Sequence, residues 1–163
     1  MIECPKRASA VTIALEDPSS PAAQACIARY FRELDERFEG GFNPGASITA
    51  TPQELTPPSG YFLVAWMADD PIGCGALKCH PDFGEIKRMW VNPSARGLGI
   101  GWRILLRLET IALERNLPLL RLETNKALVE AHALYRRSGF REVAPFNVEP
   151  YAHLWFEKVL SRP

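Results

Sequence analysis

The sequence predicts an α/β (α+β) fold, with a mixed, mostly antiparallel central sheet flanked by helices on both faces. Three observations lead there. The strand-like runs "GYFLVAWMA", "PIGCGALKC" and "GEIKRMWV" are separated only by the turn signals "DDP" and "HPDFG", and connections that short make an antiparallel meander. Directly after it the hydrophobic period lengthens to that of a helix, with Ile104, Leu105, Leu108, Ile111 and Ala112 on one stripe and Arg103, Arg107, Thr110 and Glu114 opposite. The chain then returns to a strand, a helix and a strand: "LPLLRLET", "ALVEAHALYRRSG" and "PYAHLWFEKV". At 163 residues one compact domain, residues 1–163, is expected.

The N-terminal part fits the same plan. Val11–Leu15 reads as a first strand, and in "DPSSP" Ser20 offers an N-cap with Pro21 as the first helical residue. Ile27, Tyr30, Phe31, Leu34 and Phe38 recur at helical spacing, while Arg29, Arg32, Glu33 and Glu36 occupy other faces; Gly40 and Gly41 supply the stop. From Phe42 to Ser59 the Gly, Pro, Thr and Ser content predicts an irregular substrate-facing loop with a short helical turn around Gln53–Leu55.

Composition narrows the class. Nineteen basic side chains balance nineteen acidic ones, so no net field draws the molecule to nucleic acid or to an anionic membrane. No run of about 18 apolar residues reads as a membrane span, and "MIECPKRASAVTIALEDP" lacks a secretory apolar stretch. A cytoplasmic location is expected, with Cys4, Cys26, Cys74 and Cys79 as reduced thiols. Cys74, Cys79 and His80 look like half a metal site, but no paired half follows and His132 and His153 stand apart, so no metal is expected.

The chemistry starts at "NPSARGLGIG", Asn92 to Gly101, between a strand and a helix. The first N–H groups of a helix lack intrahelical partners, and the aligned peptide dipoles make that end partly positive. Gly97, Gly99 and Gly101 keep side chains out of the way and Arg96 adds a permanent charge, so the loop suits a di- or polyphosphate. A glycine-rich turn that only starts a helix is the plain alternative. Trp102 and Arg103 stand where a P-loop needs Lys and Ser or Thr, which argues against a nucleoside triphosphatase loop. A dinucleotide site stays open, because Glu123 ends the next strand where a ribose-binding acid would stand, although the glycine spacing is not GxGxxG.

Two motifs together carry a family resemblance. "VNPSARGLGIG" after one strand and "ALYRRSGF" after the next resemble the GNAT superfamily of N-acetyltransferases over about Gly60 to Val143. Arg96, Gly99 and Gly101 match its Arg/Gln-x-x-Gly-x-Gly/Ala signature; Leu134, Tyr135, Gly139 and Phe140 match its Leu-Tyr-x-x-x-Gly-Phe ending. The resemblance implies a GNAT-like sheet and acetyl-CoA as acetyl donor, with its pyrophosphate on the amides of Arg96, Gly97, Leu98, Gly99, Ile100, Gly101 and Trp102. It also implies pantetheine along the backbone of Met89, Trp90 and Val91, and an amide contact from Asn125. Met89 and Trp90 serve equally as packing residues.

Acetyl transfer from a thioester needs a neutral amine, stabilisation of the developing oxyanion and a proton for the departing thiolate. Tyr135 resembles the family tyrosine that faces the sulfur as general acid, the alternative being an aromatic anchor. Glu85, on the strand that ends at Val91, corresponds to the glutamate base of some members. It is read either as that base, with water as the substitute, or as a solvated carboxylate paired with Lys87 or Arg88. Glu85, Lys87 and Met89 share a face unless a bulge intervenes. A backbone N–H of the Met89 strand is the expected oxyanion donor. An acyl-enzyme on Cys74 or Cys79 is disfavoured, since His80 directly follows Cys79 and would point away.

The leading expectation is thus a cytoplasmic N-acetyltransferase that passes acetyl directly to a primary amine of a small molecule or amino-acid-like acceptor in a ternary complex. No nucleic acid and no membrane partner are expected, and the assembly is open between monomer and homodimer. Acceptor selectivity is assigned to Tyr30, Phe31 and Phe38, to "GGFNPGAS" and to "PFNVEPYAHLW", where Glu149 is read as an ammonium attractor or a solvated strand end. The alternatives are a non-catalytic acyl-CoA-binding module and a dinucleotide-binding oxidoreductase.

Overall fold

A computed structural model describes residues 10–161; Cys4 and both ends of the 1–163 span lie outside the described residues. The strands are β1 (Val11–Leu15), β2 (Gly60–Met67), β3 (Asp70–Cys79), β4 (Gly84–Val91), β5 (Leu119–Thr124), β6 (Arg141–Val143) and β7 (Leu154–Val159). The helices are α1 (Pro21–Arg37), α2 (Ile100–Glu114) and α3 (Val129–Arg137). The strands form one sheet in the order β1-β2-β3-β4-β5-β7-β6, antiparallel throughout except between β4 and β5.

Side chains alternate along a strand, so the central strands serve two cores. Phe62 and Val64 of β2 join Cys74, Ala76 and Trp90 under Ala23 and Cys26 of α1. Leu63 and Ala65 join Ile72 and Leu77 under Ile104, Leu105 and Leu108 of α2. Full burial of each large apolar side chain contributes about 1.5–3 kcal/mol, which seats one helix on each face. Ser20 starts α1 by accepting the Ala23 N–H at 3.2 Å, with Pro21 at the first position, and Gly40 and Gly41 follow its end with φ of +80° and +81°.

Two irregularities of β4 shape the molecule. Cys74 pairs with Trp90 and Ala76 with Lys87, so Gly75 alone faces both Arg88 and Met89: a β-bulge, with Arg88 at φ +55°. A Cβ at position 75 would lie 2.6 Å from Ile104 Cγ2 and 2.7 Å from Met89 Sδ, so glycine there lets α2 and the bulge close together. The bulge breaks the shared face. Glu85 and Lys87 stay side by side, 2.9 Å apart, whereas Met89 reaches the Gly75 position on the α2 side. The second irregularity is a splay, since β4 and β5 pair only at Gly84 with Leu120 and at Glu85 with Arg121. Beyond that they run on to Val91 and Thr124 without pairing with each other.

The chain's last part differs from expectation. β7 begins at Leu154 rather than Pro150, because the Ala152 N–H turns back to the Glu149 carbonyl at 3.2 Å. An additional edge strand, β6, pairs with β7; three residues are too few to show alternation in a sequence. Within the Phe42–Ser59 loop the turn at Gln53–Leu55 forms as expected, and Pro44–Ala46 makes a second one.

Candidate active site

The glycine loop leads from β4 into α2. Gly97 and Gly99 have φ of +85° and +76°, and a Cβ on either would meet nothing within 4 Å. Their glycines therefore serve backbone conformation and an open approach rather than packing. Gly99 is the N-cap of α2 and offers no side-chain cap, so the leading amides keep their hydrogens for a ligand. Gly101 sits in the first turn, where a Cβ would come 3.2 Å from Leu134 Cδ2 of α3. Arg96 donates from Nε to the Val91 carbonyl at 3.0 Å and pairs with Glu33 of α1 at 2.7 Å. Leu98 is exposed at the tip and Trp102 stands exposed beside the loop.

Two cavities meet in the splay. The larger, about 680 Å³, runs from the glycine loop past Met89, Trp90 and Val91 to Tyr135. Its positive helix end, open glycines and unpaired strand edge fit an elongated thiol cofactor that ends in phosphates. The smaller, about 120 Å³, lies between α1, the 42–50 loop and the ends of β4 and β5. Tyr30, Met89, Leu128, Ala131 and Tyr135 line both. Tyr135 is buried, with its ring 5.9 Å from Phe140 and 6.0 Å from Phe156, and burial holds its phenol well above the ordinary tyrosine range. Tyr30 is shifted upward for the same reason. Both phenols are protonated at neutral pH, and both feel the charge of Glu123.

Glu123, Arg88 and Lys87 are charged groups of the smaller cavity that the sequence did not single out for it. Glu123 Oε2 is buried without a hydrogen-bond partner, and desolvation raises the carboxyl's pKa. Arg88 Nε is likewise buried and unpartnered, while its Nη2 donates to the Ala50 carbonyl at 3.0 Å and its guanidinium lies 5.0 Å from the centroid of Phe31. Glu123 lines the smaller cavity and not the groove of the glycine loop, where a ribose-binding acid would be needed. Neither Glu123 nor Arg88 stands out in the sequence, since β4 also carries Glu85 and Lys87 and β5 also carries Arg121.

Three other expected residues are placed elsewhere than their roles implied. Glu85 forms the pair with Lys87 that is one of its two readings, Nζ lying 2.9 Å from one oxygen, but it is buried rather than solvated, lines neither cavity and has His80 Nε2 2.8 Å from its other oxygen. Asn125 faces the smaller cavity, donating to the Tyr151 carbonyl at 2.8 Å and accepting from the Ala127 N–H at 2.9 Å. Glu149 is neither solvated nor a free anion: it accepts from Ser47 Oγ at 2.9 Å and the Ile48 N–H at 2.6 Å, fastening the 42–50 loop over the cavity. Cys26, Cys74 and Cys79 are free thiols. Among the described residues no cluster of His, Cys, Asp and Glu suits a metal, and no helix is long and apolar enough to cross a membrane.

Known proteins resemble this chain in sequence and in fold. Residues 27–140 match the family described as "Acetyltransferase (GNAT) family". The chain is 39% identical over 157 residues to "IAA acetyltransferase" of Azospirillum brasilense, covering 92% of this chain and 98% of that protein. It is 31% identical over 138 residues to "Uncharacterized N-acetyltransferase YedL" of Escherichia coli K12, covering 83% and 84%. The fold matches a GNAT family acetyltransferase from Elizabethkingia anophelis with acetyl-CoA bound, at a TM-score of 0.64 and 18% identity, over 92% and 98% of the two chains.

Proposed function

The chain belongs to the acetyltransferase (GNAT) family, and from that premise we propose that it transfers acetyl from acetyl-CoA directly to a primary amine of a small acceptor. The observation that carries this reading is the meeting of the two cavities at Tyr30, Met89 and Tyr135. One opens onto an uncapped helix end and a cation, as a pyrophosphate requires; the other holds a carboxylate, as an ammonium requires. Acetyl-CoA supplies an activated acyl group in a thioester.

Each step has a residue to serve it. Loop amides from Gly97 to Trp102, with Arg96, hold the phosphates. The unpaired β4 edge at Met89–Val91 aligns the pantetheine arm and offers an N–H to the carbonyl oxygen as negative charge develops there. Asn125 positions rather than binds, by holding the turn after β5 to the segment before β7. Glu123 takes the place assigned in the sequence to Glu85, whose oxygens are engaged by His80 and Lys87. Burial raises the Glu123 pKa and so strengthens it as a base. The ammonium gives Glu123 one proton and the free amine attacks; the C–N bond forms, the C–S bond breaks, Tyr135 protonates the departing sulfur, and the second proton shed by the nitrogen restores the phenol.

Thermal unfolding with acetyl-CoA and with NAD(H), followed by thiol release with a panel of amines, tests the proposal. A ligand at about 100 times its dissociation constant stabilises by roughly 2.7 kcal/mol. The expected result is a raised midpoint with acetyl-CoA alone and amine-dependent thiol release. A shift with NAD(H) instead, or binding without turnover on any amine, would return the protein to one of the two alternatives.

A further inference from the structure

The smaller cavity is lined by two cations and two anions besides its apolar walls, and the protein itself satisfies one of each. Lys87 Nζ is held by Glu85 at 2.9 Å and the Ile48 carbonyl at 3.2 Å. Glu149 has both oxygens bonded to the loop it fastens. Arg88 and Glu123 remain, each with a buried, unpartnered polar atom and in no ion pair among the described residues; Glu123 has a hydrogen bond from Asn147 and the charge of Lys87 beyond ion-pair distance, which leave Oε2 unmet. A buried charge without a counter-ion is strongly unfavourable. Two such charges of opposite sign in one cavity are both compensated by an occupant that carries the complementary pair.

We propose that the acceptor is a zwitterionic amino acid, its ammonium received by Glu123 and its carboxylate by the guanidinium of Arg88, with an apolar side chain against Phe38, Phe42 and Tyr151. Glu123 is the end that must hold the amine, because a carboxylate accepts hydrogen bonds and a proton from an ammonium, whereas a guanidinium has donors only. Arg88 owes its place to the bulge: at φ +55° it leaves the strand's alternation and turns across the face of Phe31. The apolar wall is continuous, with Phe42 centred 4.9 Å from Tyr151 and 5.7 Å from Phe38. Arg88 acts on acceptor binding and Glu123 on both binding and proton removal.

This inference rests on the acetyltransferase reading, and the experiment separates the two. Initial rates of thiol release are compared for phenylalanine, leucine and methionine and for the amide of each, which keeps the α-amine and side chain but lacks the carboxylate. At least one acid is expected to exceed its amide in kcat/KM by about 30-fold or more, the loss typical of an unmet buried charge. Arg88→Gln should abolish that preference by raising KM for the acid far more than KM for the amide. Amides used as well as the acids would overturn the inference and leave the enzyme an acetyltransferase; this wild-type comparison decides even where Arg88→Gln fails to fold. Should no amine release thiol although acetyl-CoA binds, the reading of the activity falls. Calorimetric titration with phenylalanine and its amide then tests the site alone, equal binding overturning it and selective binding of the acid sustaining it.

Discussion

Glu33 of α1 lies 2.7 Å from the guanidinium of Arg96, so the cation beside the glycine loop is already paired across the rim of the larger cavity. Both side chains are partly exposed, and such a pair is worth about 0–1 kcal/mol. A pyrophosphate therefore draws Arg96 away at little cost. Arg96→Gln should raise KM for acetyl-CoA about tenfold with kcat nearly unchanged. Glu33→Gln should lower KM a few-fold, an advantage that shrinks at high salt. Rates at two ionic strengths check both directions.

Gly99 stands at φ +76° with open space around it. Gly99→Ala should cost about 1–2 kcal/mol in urea unfolding, the penalty of a left-handed L-residue. Its methyl group also crowds the anion site, so the rise in Tm with saturating acetyl-CoA should be smaller than for the wild type. An undiminished rise would place the phosphates elsewhere.

Tyr135 is buried at the junction of the cavities with its phenol held protonated. Tyr135→Phe should reduce kcat about 100-fold, in the range of one lost general acid, while acetyl-CoA still raises Tm. Retained kcat would make the residue an anchor only.

Glu123 carries a prediction with a definite sign. Its folded pKa is raised by desolvation, so the folded state holds this proton more tightly than the unfolded state. Stability contributed by the protonated form is complete below the unfolded carboxyl pKa and declines as pH rises toward the raised folded value. Glu123→Gln should accordingly raise Tm at neutral pH, with the gain fading in acid. Activity moves the other way. The wild-type kcat/KM should fall on the acid side at a pH above the ordinary carboxylate range, and in Glu123→Gln that limb should vanish along with about 100-fold in rate.

Glu149 is buried and joins the 42–50 loop to the segment before β7. Glu149→Ala leaves the Ile48 N–H and Ser47 hydroxyl without their acceptor and should cost about 1–3 kcal/mol. The acceptor KM should rise while the acetyl-CoA KM stays, because the loop lines only the smaller cavity. Equal effects on both would mean general destabilisation.

What the sequence alone determined was local in the chain. The Ser20–Pro21 helix start, the meander and the glycine loop before α2 are each written within a few neighbouring residues and form as read. So does the helix that brings Tyr135 to the junction. Their physics is turn chemistry, helix termini and hydrophobic period, all of which act at short range. The acceptor side is different. Arg88 enters the cavity because an extra residue opposite Gly75 turns it left-handed, and Glu123 faces that cavity because β4 and β5 part after Glu85. Glu85, the carboxylate the sequence offered as a base or as a partner of Lys87, sits where those strands still pair and is engaged by His80 and Lys87. Register, bulge and splay belong to pairs of strands, so only the tertiary structure decided which charges were left without partners.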